Sequence, residues 1–457
     1  MTDDGAFRSL DQMAEAIRSR RLSPVEVVRD ALARAQRLQP RLNCFITLLE
    51  DRAIEEAQQA EREISQGRYH GPLHGIPYTL KDVFTTAGVR TTAGSRVLAN
   101  WVPDEDAAVV TSLRAAGAVL LGKTNTSEFA AGPTTSNEHY GPARNPWNVD
   151  LVPGGSSGGS AAALAAGIGT FSLGTDTGGS IRMPAAACGV VGLKPSTGNV
   201  PRRGVVMLSP SLDTVGVLAH SVGDGARVLE TFSSAHRVEP RGASSPLRIG
   251  LPMELLDEPC DSEVRAIFMA AIDRARERGA HVERLSMPWA RHALPANNLI
   301  SWFESWGVHE RMFTAQAKSY GRAIRRRLLM GAAVGVESYR AALRVRHAFV
   351  RRVVDLFRQI DVLALPTLSV PAPPIGAEEV EVAGQRIGLL DALGRFTRFA
   401  SFTGQPALSL PDRLTEKGLP VGVQLIGPIG GDRRLWQIAR DFEAASGWGR
   451  PTPAGIF

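Results

Sequence analysis

The sequence predicts an α/β fold, because patterns typical of strands and of helices alternate over its whole length. Near the start, a capped amphipathic helix is expected after Ser23. From Pro72 to about Leu218 the chain is rich in Gly and Ala, with short apolar runs between turn residues that are typical of buried strands. Of its 457 residues, 44% are hydrophobic and 21% charged, so the chain is long enough to bury a large core.

The first predicted helix lies in the stretch LSPVEVVRDALARAQRL. Ser23 is the expected N-cap, since its side-chain oxygen can accept a free N–H group of the first turn, and Pro24 suits the first helical position. Val28, Leu32 and Ala35 recur at helical spacing, so we expect them on the buried face.

Strands and helices continue to mix in the second half of the chain. LRIGLP and VGVQLIG are typical of strands, and a long helical pattern follows each of them. The segment at about 285–350 is predicted to be helical, and PTLSVPAPPIGA, from Pro366, is predicted to be an extended loop because proline fixes φ. The stretch from Glu239 to Pro246 is expected to be a surface connection.

The net charge is +6, and most of the basic residues are arginines, many of them in two clusters. Such a charge could indicate a nucleic acid or an acidic membrane surface as partner. The clusters are Arg322–Arg327 and Arg340–Arg352, and the second carries Phe349 and Val353 at helical spacing. We therefore interpret these arginines as the hydrated face of an amphipathic helix, which argues against a nucleic-acid partner.

Several features favour the cytoplasm. The first residues are acidic and polar, so no export signal is expected, and no apolar run reaches the roughly 20 residues of a membrane helix. The cysteines, Cys44, Cys188 and Cys260, are far apart and show no CxxC spacing, which fits a reducing compartment. Since HExxH is also missing from the sequence, we expect no metal, no cofactor and no membrane partner.

The stretch from Gly117 to Thr124, GAVLLGKT, formally matches the phosphate-binding loop pattern GxxxxGK[ST]. That chemistry needs successive backbone N–H groups that curl around a phosphate. Here the four intervening residues are Ala, Val, Leu and Leu, which favour a strand, and NTSEFAAGPTT is a poor start for a helix. We therefore predict a strand in place of a nucleotide site.

The stretch LVPGGSSGGSAA has the composition of a flexible linker, yet it also matches the GxSxG nucleophile elbow on Ser156 and on Ser157. A true elbow follows a strand and is served by an acid and a histidine further along the chain. Val152 and Pro153 make a weak strand, and none of the nine histidines stands out. The elbow stays open as an alternative.

A third interpretation takes the surrounding motifs together. GGSSGGSAAALAAG is preceded by GIPYTLKD and followed by TFSLGTDTGGSIRMPAAACG. Each Gly-Ser stretch leads directly into an Ala-rich segment, so each is predicted to be a loop that precedes a helix. Two helix N-termini can direct several unpaired N–H groups towards one point.

In these motifs the sequence closely resembles the amidase signature family, serine hydrolases that cleave carbon–nitrogen bonds. The resemblance extends in order from LSPVEVV through GIPYTLKD, GKTNTSEF, GPARNPW, PGGSSGGSAAALAAG, GTDTGGSIRMPAA, GLKPSTG and SLDTVG to VGVQLIG. It implies the fold of that family, a large mixed β-sheet sandwiched between helices. Residues 1–457 are therefore predicted to form a single amidase domain, with a catalytic signature core at 72–220 and a helical substrate-side segment at about 285–350.

The resemblance also implies a catalytic site. The triad of the family consists of a serine nucleophile, a second serine preceded by a cis peptide bond, and a lysine. Matched motif by motif, these fall on Ser180, Ser156 and Lys81. Ser156 is then expected to relay a proton, accepting it from Ser180 and donating to Lys81.

The residues around the triad have expected roles as well. The oxyanion hole is expected to consist of the backbone N–H groups of Thr177, Gly178, Gly179 and Ser180. The residues expected to support the site without taking part in the chemistry are Asp176, Arg182 and Ser157. Cys188 is interpreted as a small buried residue and not as a nucleophile.

The chemistry suits these residue types. Amide hydrolysis requires a nucleophile, a proton acceptor that later protonates the departing nitrogen, and donors for the developing oxyanion. Lysine is a base only when neutral, so the pKa of Lys81 must fall from about 10.4 by roughly three units to act near neutrality. Arginine could not replace it, and Lys81 is one of only five lysines in a chain rich in arginine.

The predicted function is hydrolysis of a small amide, aryl amides and carbamates included, through a seryl acyl-enzyme. ISWFESWGVHERMF and GPTTSNEHYG are candidate substrate walls, and the aromatic residues of the first favour an apolar acyl or aryl group. The alternative is the glutaminase subunit of a tRNA-dependent amidotransferase, although such family members carry an aspartate where this chain has Gly394. A small-molecule amide is the expected partner, and homodimer formation is left open.

Overall fold

The structure is a computed structural model that describes residues 8–232 and 246–454. Of the predicted surface connection from Glu239 to Pro246, all but the last residue lies outside these ranges, as do the first seven residues of the polar start. Within the described ranges, no helix is both long and apolar enough to cross a membrane.

The strands vary in length from two to eight residues. In chain order, the strands of the described ranges are β1 (Phe45–Leu48), β2 (Pro77–Lys81), β3 (Val119–Thr124), β4 (Ser136–Asn137), β5 (Gly141–Pro142), β6 (Phe171–Asp176), β7 (Val191–Lys194), β8 (Thr214–Ala219), β9 (Arg248–Pro252), β10 (His281–Leu285), β11 (Val362–Pro366), β12 (Glu379–Val382), β13 (Gln385–Gly388), β14 (Ala407–Leu414) and β15 (Pro420–Ile426).

The longest helices lie near the N-terminus and in the segment predicted to be helical. In chain order, the α-helices of the described ranges are α1 (Leu10–Arg18), α2 (Pro24–Leu42), α3 (Glu50–Ser65), α4 (Ala108–Ala115), α5 (Gly158–Ala165), α6 (Arg182–Cys188), α7 (Val222–Glu230), α8 (Met253–Leu256), α9 (Ser262–Glu277), α10 (Ala293–Gln316), α11 (Arg322–Ala333), α12 (Val336–Leu356), α13 (Leu389–Gly394), α14 (Arg398–Thr403) and α15 (Asp432–Ser446).

Eleven strands form one mixed sheet in the order β1, β3, β2, β6, β8, β7, β14, β15, β11, β9, β10. Strands β3, β2 and β6 are parallel to one another, as are β11, β9 and β10. The strands between β6 and β11 pair antiparallel, and β1 is antiparallel to β3 at one edge. The predicted α/β class with a large mixed sheet is confirmed.

Helices cover both faces of this sheet. Every residue of β2, β3, β6 and β8 is buried, although successive side chains point to opposite faces. On one face, Val28 of α2 and Ala162 of α5 share a hydrophobic cluster with Val119 of β3. On the other face, Leu120 and Leu80 belong to the larger core. The sheet therefore forms the middle layer, as in other α/β folds.

Local signals in the sequence are confirmed at several points. Ser23 caps α2, since its Oγ accepts the N–H groups of Val25 and Glu26. The stretch from Gly117 to Thr124 is a turn followed by the fully buried strand β3, so its glycines bracket a strand as predicted. Helices α10, α11 and α12 form most of the segment at 285–350.

Helix α12 is amphipathic, as its sequence predicts. Phe349 and Val353 are buried, whereas Arg340, Arg351 and Arg352 are exposed. These arginines form the hydrated face of a helix whose apolar residues pack into the core.

Candidate active site

Two neighbouring parallel strands, β2 and β6, bring the candidate residues together. Strand β2 ends at Lys81 and β6 ends at Asp176, and their register pairs Leu80 with Leu173. Because the carboxyl ends of parallel strands lie at the same edge of a sheet, Lys81 lies beside the loop that follows Asp176. That loop carries Ser180.

The amine of Lys81 is fully buried. Its Nζ donates to Ser156 Oγ at 2.7 Å and to Thr175 Oγ1 at 2.8 Å. Burial lowers the pKa of Lys81 to about 7, although the charges of Asp213 and Asp176 oppose this shift. The amine therefore loses its proton near neutral pH, in the direction that the sequence analysis requires of a base.

The Gly-Ser loop before α5 carries Ser156. The peptide bond between Gly155 and Ser156 is cis, as the resemblance implies. The Ser156 carbonyl accepts from Thr126 Oγ1 at 2.9 Å, and the Ser157 N–H group donates to the Ser180 carbonyl at 3.2 Å. The second contact joins the Ser156 loop to the Ser180 loop, so LVPGGSSGGSAA is part of the packed site and not a linker.

Ser180 follows β6 and lines a cavity. Its hydroxyl makes no hydrogen bond with any described residue, so the expected bond from Ser180 to Ser156 is not formed in this structure. Hydrogen bonds between catalytic groups are often long before a substrate is bound. Of the three predicted triad members, Lys81 and Ser156 are in direct contact, and Ser180 lies on the adjoining loop.

Asp176 holds the loop that contains Ser180. Its carboxylate accepts from the N–H groups of Gly179 at 2.8 Å and Ile181 at 3.2 Å, and from Ser401 Oγ at 3.1 Å. Arg182 donates to both carboxylate oxygens, from Nε at 3.0 Å and from Nη2 at 2.9 Å. Burial favours the neutral acid, but the charge and hydrogen bonds of Arg182, the charge of Lys194 and the Ile181 N–H group together outweigh it, and the pKa of Asp176 falls to about 2. The carboxylate is therefore ionised wherever the enzyme could work.

The structure differs from the prediction at Gly179. Its N–H group donates to Asp176 and is therefore not free to bind an oxyanion. Its φ is +126°, and an added Cβ would lie 2.2 Å from Thr397 Oγ1, so only glycine fits there. The predicted oxyanion donors whose N–H groups have no partner among the described residues are Thr177, Gly178 and Ser180.

The cavity beside Ser180 is small, with a volume of about 40 Å³. Its walls combine segments that are far apart in the chain. The polar side chains that line it are Asn297, Asn298 and Ser301 of α10, Arg327 of α11 and Arg398 at the start of α14. The apolar residues that line it are Ala130, Pro133, Met183, Leu208 and Leu390.

The expectation of an aromatic wall is wrong. Among the aromatic residues of ISWFESWGVHERMF, none lines this cavity within the described part of the chain. Phe303 stacks on Tyr339 with ring centroids 4.2 Å apart, and Trp306 packs edge-on against Phe313. Phe303 joins α10 to α12, whereas Trp306 and Phe313 both lie on α10, so these rings pack within the helical segment and not around Ser180. The second predicted wall, GPTTSNEHYG, contributes only its first two residues, at positions 132 and 133.

Sequence reasoning missed Thr175, Asp213, Asn297 and Arg398 as residues of the site. It also interpreted Arg327 as part of the hydrated face of a helix, whereas Arg327 lines the cavity and donates to the hydroxyls of Ser305 and Ser301. Asp213 accepts from Thr177 Oγ1 at 2.5 Å and from the Leu208 N–H group at 2.7 Å, so it holds the first residue of the Ser180 loop. Asp213 lies in the block SLDTVG and Arg398 in FTRFASFTG. Their blocks were visible in the sequence, whereas their contacts depend on the fold.

One group of side chains in the described ranges has the residue types of a metal site. Glu63, His70 and His74 offer ligand atoms within 4.8 Å of one another. However, His74 Nδ1 accepts the His70 backbone N–H group at 3.2 Å, so its Nε2 carries the proton and points to Glu63 at 3.2 Å. Ligation of a metal by Nε2 would require this proton to leave and Nδ1 to give up its hydrogen bond, so the arrangement disfavours a metal site. Burial lowers the pKa of His74, which favours the neutral imidazole.

The cysteines are buried and free. Cys188 is fully buried, and burial raises the pKa of its thiol, while the pKa of Cys44 is raised to about 12 by the same cause. A buried thiol with a raised pKa is a poor nucleophile, which agrees with the interpretation of Cys188 as a packing residue.

The sequence is similar to known proteins over nearly all of its length. A family model of amidases matches residues 26–436. A Glutamyl-tRNA(Gln) amidotransferase subunit of Methylococcus capsulatus (strain Bath) is 35% identical over 98% of this chain and 99% of its own length. The match therefore includes every candidate residue described above.

Solved structures agree with the architecture. A crystal structure of an amidase superposes with a TM-score of 0.91 at 36% identity, over 96% of this chain and all of that one. A second structure comes from a vestigial protein complex that reveals the evolutionary origins of an s-triazine catabolic enzyme. It superposes with a TM-score of 0.90 at 34% identity, over 96% of this chain and 99% of that one.

Proposed function

This chain belongs to the amidase family, and on that basis we propose that it hydrolyses the carbon–nitrogen bond of a small amide through a seryl acyl-enzyme. The observation that supports this most directly is the buried Lys81 amine in hydrogen-bond contact with Ser156, beside the loop that carries Ser180. In this proposal Ser180 is the nucleophile, Ser156 relays the proton and Lys81 is the base.

In the acylation step, Ser180 Oγ attacks the carbonyl carbon of the amide. Its proton passes to Ser156 Oγ while the Ser156 proton passes to Lys81 Nζ, so the nucleophile is activated without a free hydroxide. When the carbon–nitrogen bond breaks, the proton returns from Lys81 through Ser156 to the departing nitrogen, which leaves as ammonia or an amine. An ester on Ser180 remains.

Deacylation uses the same relay. Water attacks the ester carbonyl and gives its proton through Ser156 to Lys81. The proton then returns to Ser180 Oγ as the acid product leaves. One amide and one water give one carboxylic acid and one ammonia or amine, so no oxidant or second substrate is needed.

The oxyanion of both steps would bind to backbone N–H groups of the Ser180 loop. The three free donors, at positions 177, 178 and 180, are the candidates, and one such donor typically changes the rate by about 10²- to 10³-fold. Asp176 and Arg182 keep the loop in shape, since the bidentate ion pair fixes the N–H group of Gly179 and thereby the turn.

A second candidate is the glutaminase subunit of a tRNA-dependent amidotransferase. This candidate is supported by relatives that carry this name, such as the subunit of Methylococcus capsulatus, which matches 98% of this chain. The same triad would serve, since glutamine is a primary amide. Two features favour another substrate: the sequence resemblance places Gly394 where such subunits carry an aspartate, and no carboxylate of the described residues lines the cavity to bind an α-ammonium group.

The catalytic proposal is tested with a panel of anilides, primary amides, carbamates and esters, assayed with wild type and Ser180→Ala. We expect Ser180→Ala to lose at least about 10³-fold in kcat/KM, because no other group can form the acyl-enzyme. Ser157→Ala is the matched control: its hydroxyl contacts only the Thr175 carbonyl, at 3.4 Å, so it should keep most of the activity. Undiminished turnover by Ser180→Ala would exclude Ser180 as nucleophile.

The two candidate functions are separated by their partners and products. A glutaminase subunit should release ammonia from glutamine and co-purify with the other subunits and with tRNA-dependent activity. The proposed amidase should act alone on small amides and leave glutamine largely intact. Efficient glutamine hydrolysis without turnover of any other amide would favour the second candidate.

A further inference from the structure

Two arginines of the candidate active-site cavity have no acidic partner. Arg327 donates to the hydroxyls of Ser305 and Ser301, and Arg398 donates to Asn298 Oδ1. Neither guanidinium forms an ion pair with a carboxylate in the described part of the chain. Two positive charges therefore line one small cavity, and the carboxylates whose charges act on them, Asp213 on Arg327 and Asp391 on Arg398, form no ion pair with them.

Arg182 shows how this protein neutralises a buried arginine. Its guanidinium is fully buried, forms a bidentate ion pair with Asp176, and also donates to the Thr397 carbonyl at 2.7 Å and to Gln424 Oε1 at 2.6 Å. A buried charge is normally compensated in this way, because an unpaired one is costly. The arginines of the cavity have no carboxylate in contact, only the more distant charges of Asp213 and Asp391, which is expected if the contacting anion comes from a ligand.

Two buried side-chain nitrogens at the cavity have no hydrogen-bond acceptor among the described residues. Arg398 is only 6% exposed and its Nε has no hydrogen-bond partner, and Asn297 is 3% exposed with its Nδ2 likewise unpartnered. An added Cβ on Gly178 would lie 3.5 Å from Arg398 Nε. The side chains of Arg398 and Asn297 therefore lie beside Gly178, whose N–H group is proposed to bind the oxyanion. They require an acceptor, and an anion satisfies both of them at once.

Gly394 keeps Arg398 unpaired. An added Cβ at this position would lie 3.0 Å from Arg398 Nε and 3.2 Å from its Nη2. An acidic side chain at position 394 would therefore contact the guanidinium and neutralise it. With glycine there, the charge of Arg398 stays available to a ligand.

Both arginines stay charged in the physiological range. Burial lowers the pKa of Arg398 to about 10, and burial together with the charge of Arg398 lowers the pKa of Arg327 to about 10. The two like charges affect each other, so a single anion between them would relieve the repulsion.

We propose that the substrate is a small amide that carries a carboxylate and no ammonium group, and that this carboxylate binds to Arg398, with Arg327 and Asn297 as further donors. The inference rests on the proposed amidase function and names its substrate class. A guanidinium is planar and matches a carboxylate with two parallel hydrogen bonds, which would hold the amide carbonyl at Ser180. The small cavity favours a monoamide of a short dicarboxylic acid.

The first test compares charged and neutral amides of the same shape. Malonamate, succinamate and glutaramate are each assayed against their methyl esters, which keep the amide and remove the charge. For the chain length that fits, we expect kcat/KM for the free carboxylate to exceed that for its ester by about 10- to 100-fold. This ratio corresponds to the loss of one hydrogen bond to a charged group. Equal rates for acid and ester at all three lengths would overturn the proposal.

The second test changes the arginine. Arg398→Gln should lower the ratio of acid to ester hydrolysis by about 10-fold or more, mainly through KM for the acid, since the contact is made before the chemistry. Gly394→Asp should lower the same ratio, because the new carboxylate occupies the guanidinium. Arg326→Gln is the matched control, since this exposed arginine lies on α11 outside the cavity. A ratio that falls equally in Arg326→Gln would contradict the assignment.

Two further readouts separate this inference from the proposed function. A fluorophosphonate reports whether Ser180 is reactive, whatever the charge of the substrate. If Ser180 is labelled but the acid and its ester are hydrolysed at equal rates, the anion site is refuted and the proposed function is not. Binding of succinate to Ser180→Ala, measured by calorimetry, does not depend on turnover. We expect binding that Arg398→Gln abolishes; no succinate binding, or equal binding in both proteins, would refute the inference even if no amide were hydrolysed.

Discussion

Strands β2 and β3 lie side by side, and each carries a fully buried lysine in different surroundings. Lys123 of β3 donates to the Phe84 carbonyl and to Thr91 Oγ1, both at 2.8 Å, and its Nζ lies 3.1 Å from Asp82 Oδ1. Lys81 of β2 contacts only hydroxyl groups. Burial lowers the pKa of both amines, but only Lys123 has an ion-pair partner that counteracts it.

This difference separates a structural lysine from a candidate base. Lys123 has the carboxylate of Asp82 beside it, which opposes part of the effect of burial, and its contacts hold the turn after β2 against β3. Lys81 lacks this compensation, and a protonated amine there costs free energy. That cost lowers the pKa, so a large share of the amine is neutral near pH 7 and can accept a proton. The two lysines should therefore respond to the same substitution with opposite effects on stability.

The largest expected effect is that of Lys81→Met on activity. Without a base and proton donor, kcat/KM should fall by at least about 10³-fold, since general acid–base catalysis contributes up to about 10⁴. Thermal unfolding should give an unchanged or higher Tm, because an uncompensated buried amine is replaced by an apolar side chain of similar length. A strongly lowered Tm would contradict the comparison.

The pH dependence of that stability effect has a definite sign. The pKa of Lys81 is about 7 in the folded protein and about 10.5 when unfolded, so the unfolded state binds more protons between these values. Wild-type stability therefore rises from pH 7 towards pH 10.5, and the cost is fully present below pH 7. The increase in the free energy of unfolding caused by Lys81→Met should be largest near pH 6 and vanish near pH 10. Chemical denaturation at several pH values measures this.

The second effect in size is that of Lys123→Met on stability. Removing this amine leaves the buried carboxylate of Asp82 without its partner, so the free energy of unfolding should fall by about 3–5 kcal/mol. The double variant Lys123→Met with Asp82→Asn should recover part of the loss. Denaturant titration measures this, and equal stability of wild type and Lys123→Met would show that the ion pair is not formed.

The third effect concerns the pH profile of the wild type. Because the base must be neutral, kcat/KM should rise with pH to a half-maximum near pH 7 and then level off. Burial also lowers the pKa of Lys194 to about 7, but its Nζ donates to the Pro195 carbonyl, so Lys194→Met should leave the midpoint in place. A midpoint that shifts in Lys194→Met would show that Lys194, and not Lys81, is the group that titrates.

The smallest effect is a shift of that midpoint in Asp213→Asn. The charge of Asp213 raises the pKa of Lys81, so its removal should move the midpoint to lower pH. An amide can still accept the backbone N–H groups of Leu208 and Ser209. Asp224→Asn is the control, because this buried carboxylate is not among the charges that act on Lys81; a shift of equal size there would exclude the electrostatic explanation.

The fold class and the triad candidates could be predicted from the sequence, because their signals are local. The cap at Ser23 and the apolar run before Thr124 depend on neighbouring residues, and motifs in a fixed order identify Lys81, Ser156 and Ser180 one by one. The aromatic wall could not be predicted correctly, since an aromatic run on a helix fits a cavity and a helix contact equally well. The hydrogen bond from the Gly179 N–H group to Asp176 could not be predicted either, because every glycine in such a loop has an N–H group and the sequence does not show its acceptor.

The amino-acid sequence by itself thus determined the α/β architecture, the ordered motifs and the residue types of the candidate site, since each depends on the order of residues along the chain. Only the tertiary structure decided which buried lysine lacks an ion pair and which arginines line the cavity. The contact between Arg398 and Asn298 spans 100 residues, and that between Lys81 and Ser156 spans 75. Charge states follow from such distant neighbours, because burial and partner charges set the pKa of each group.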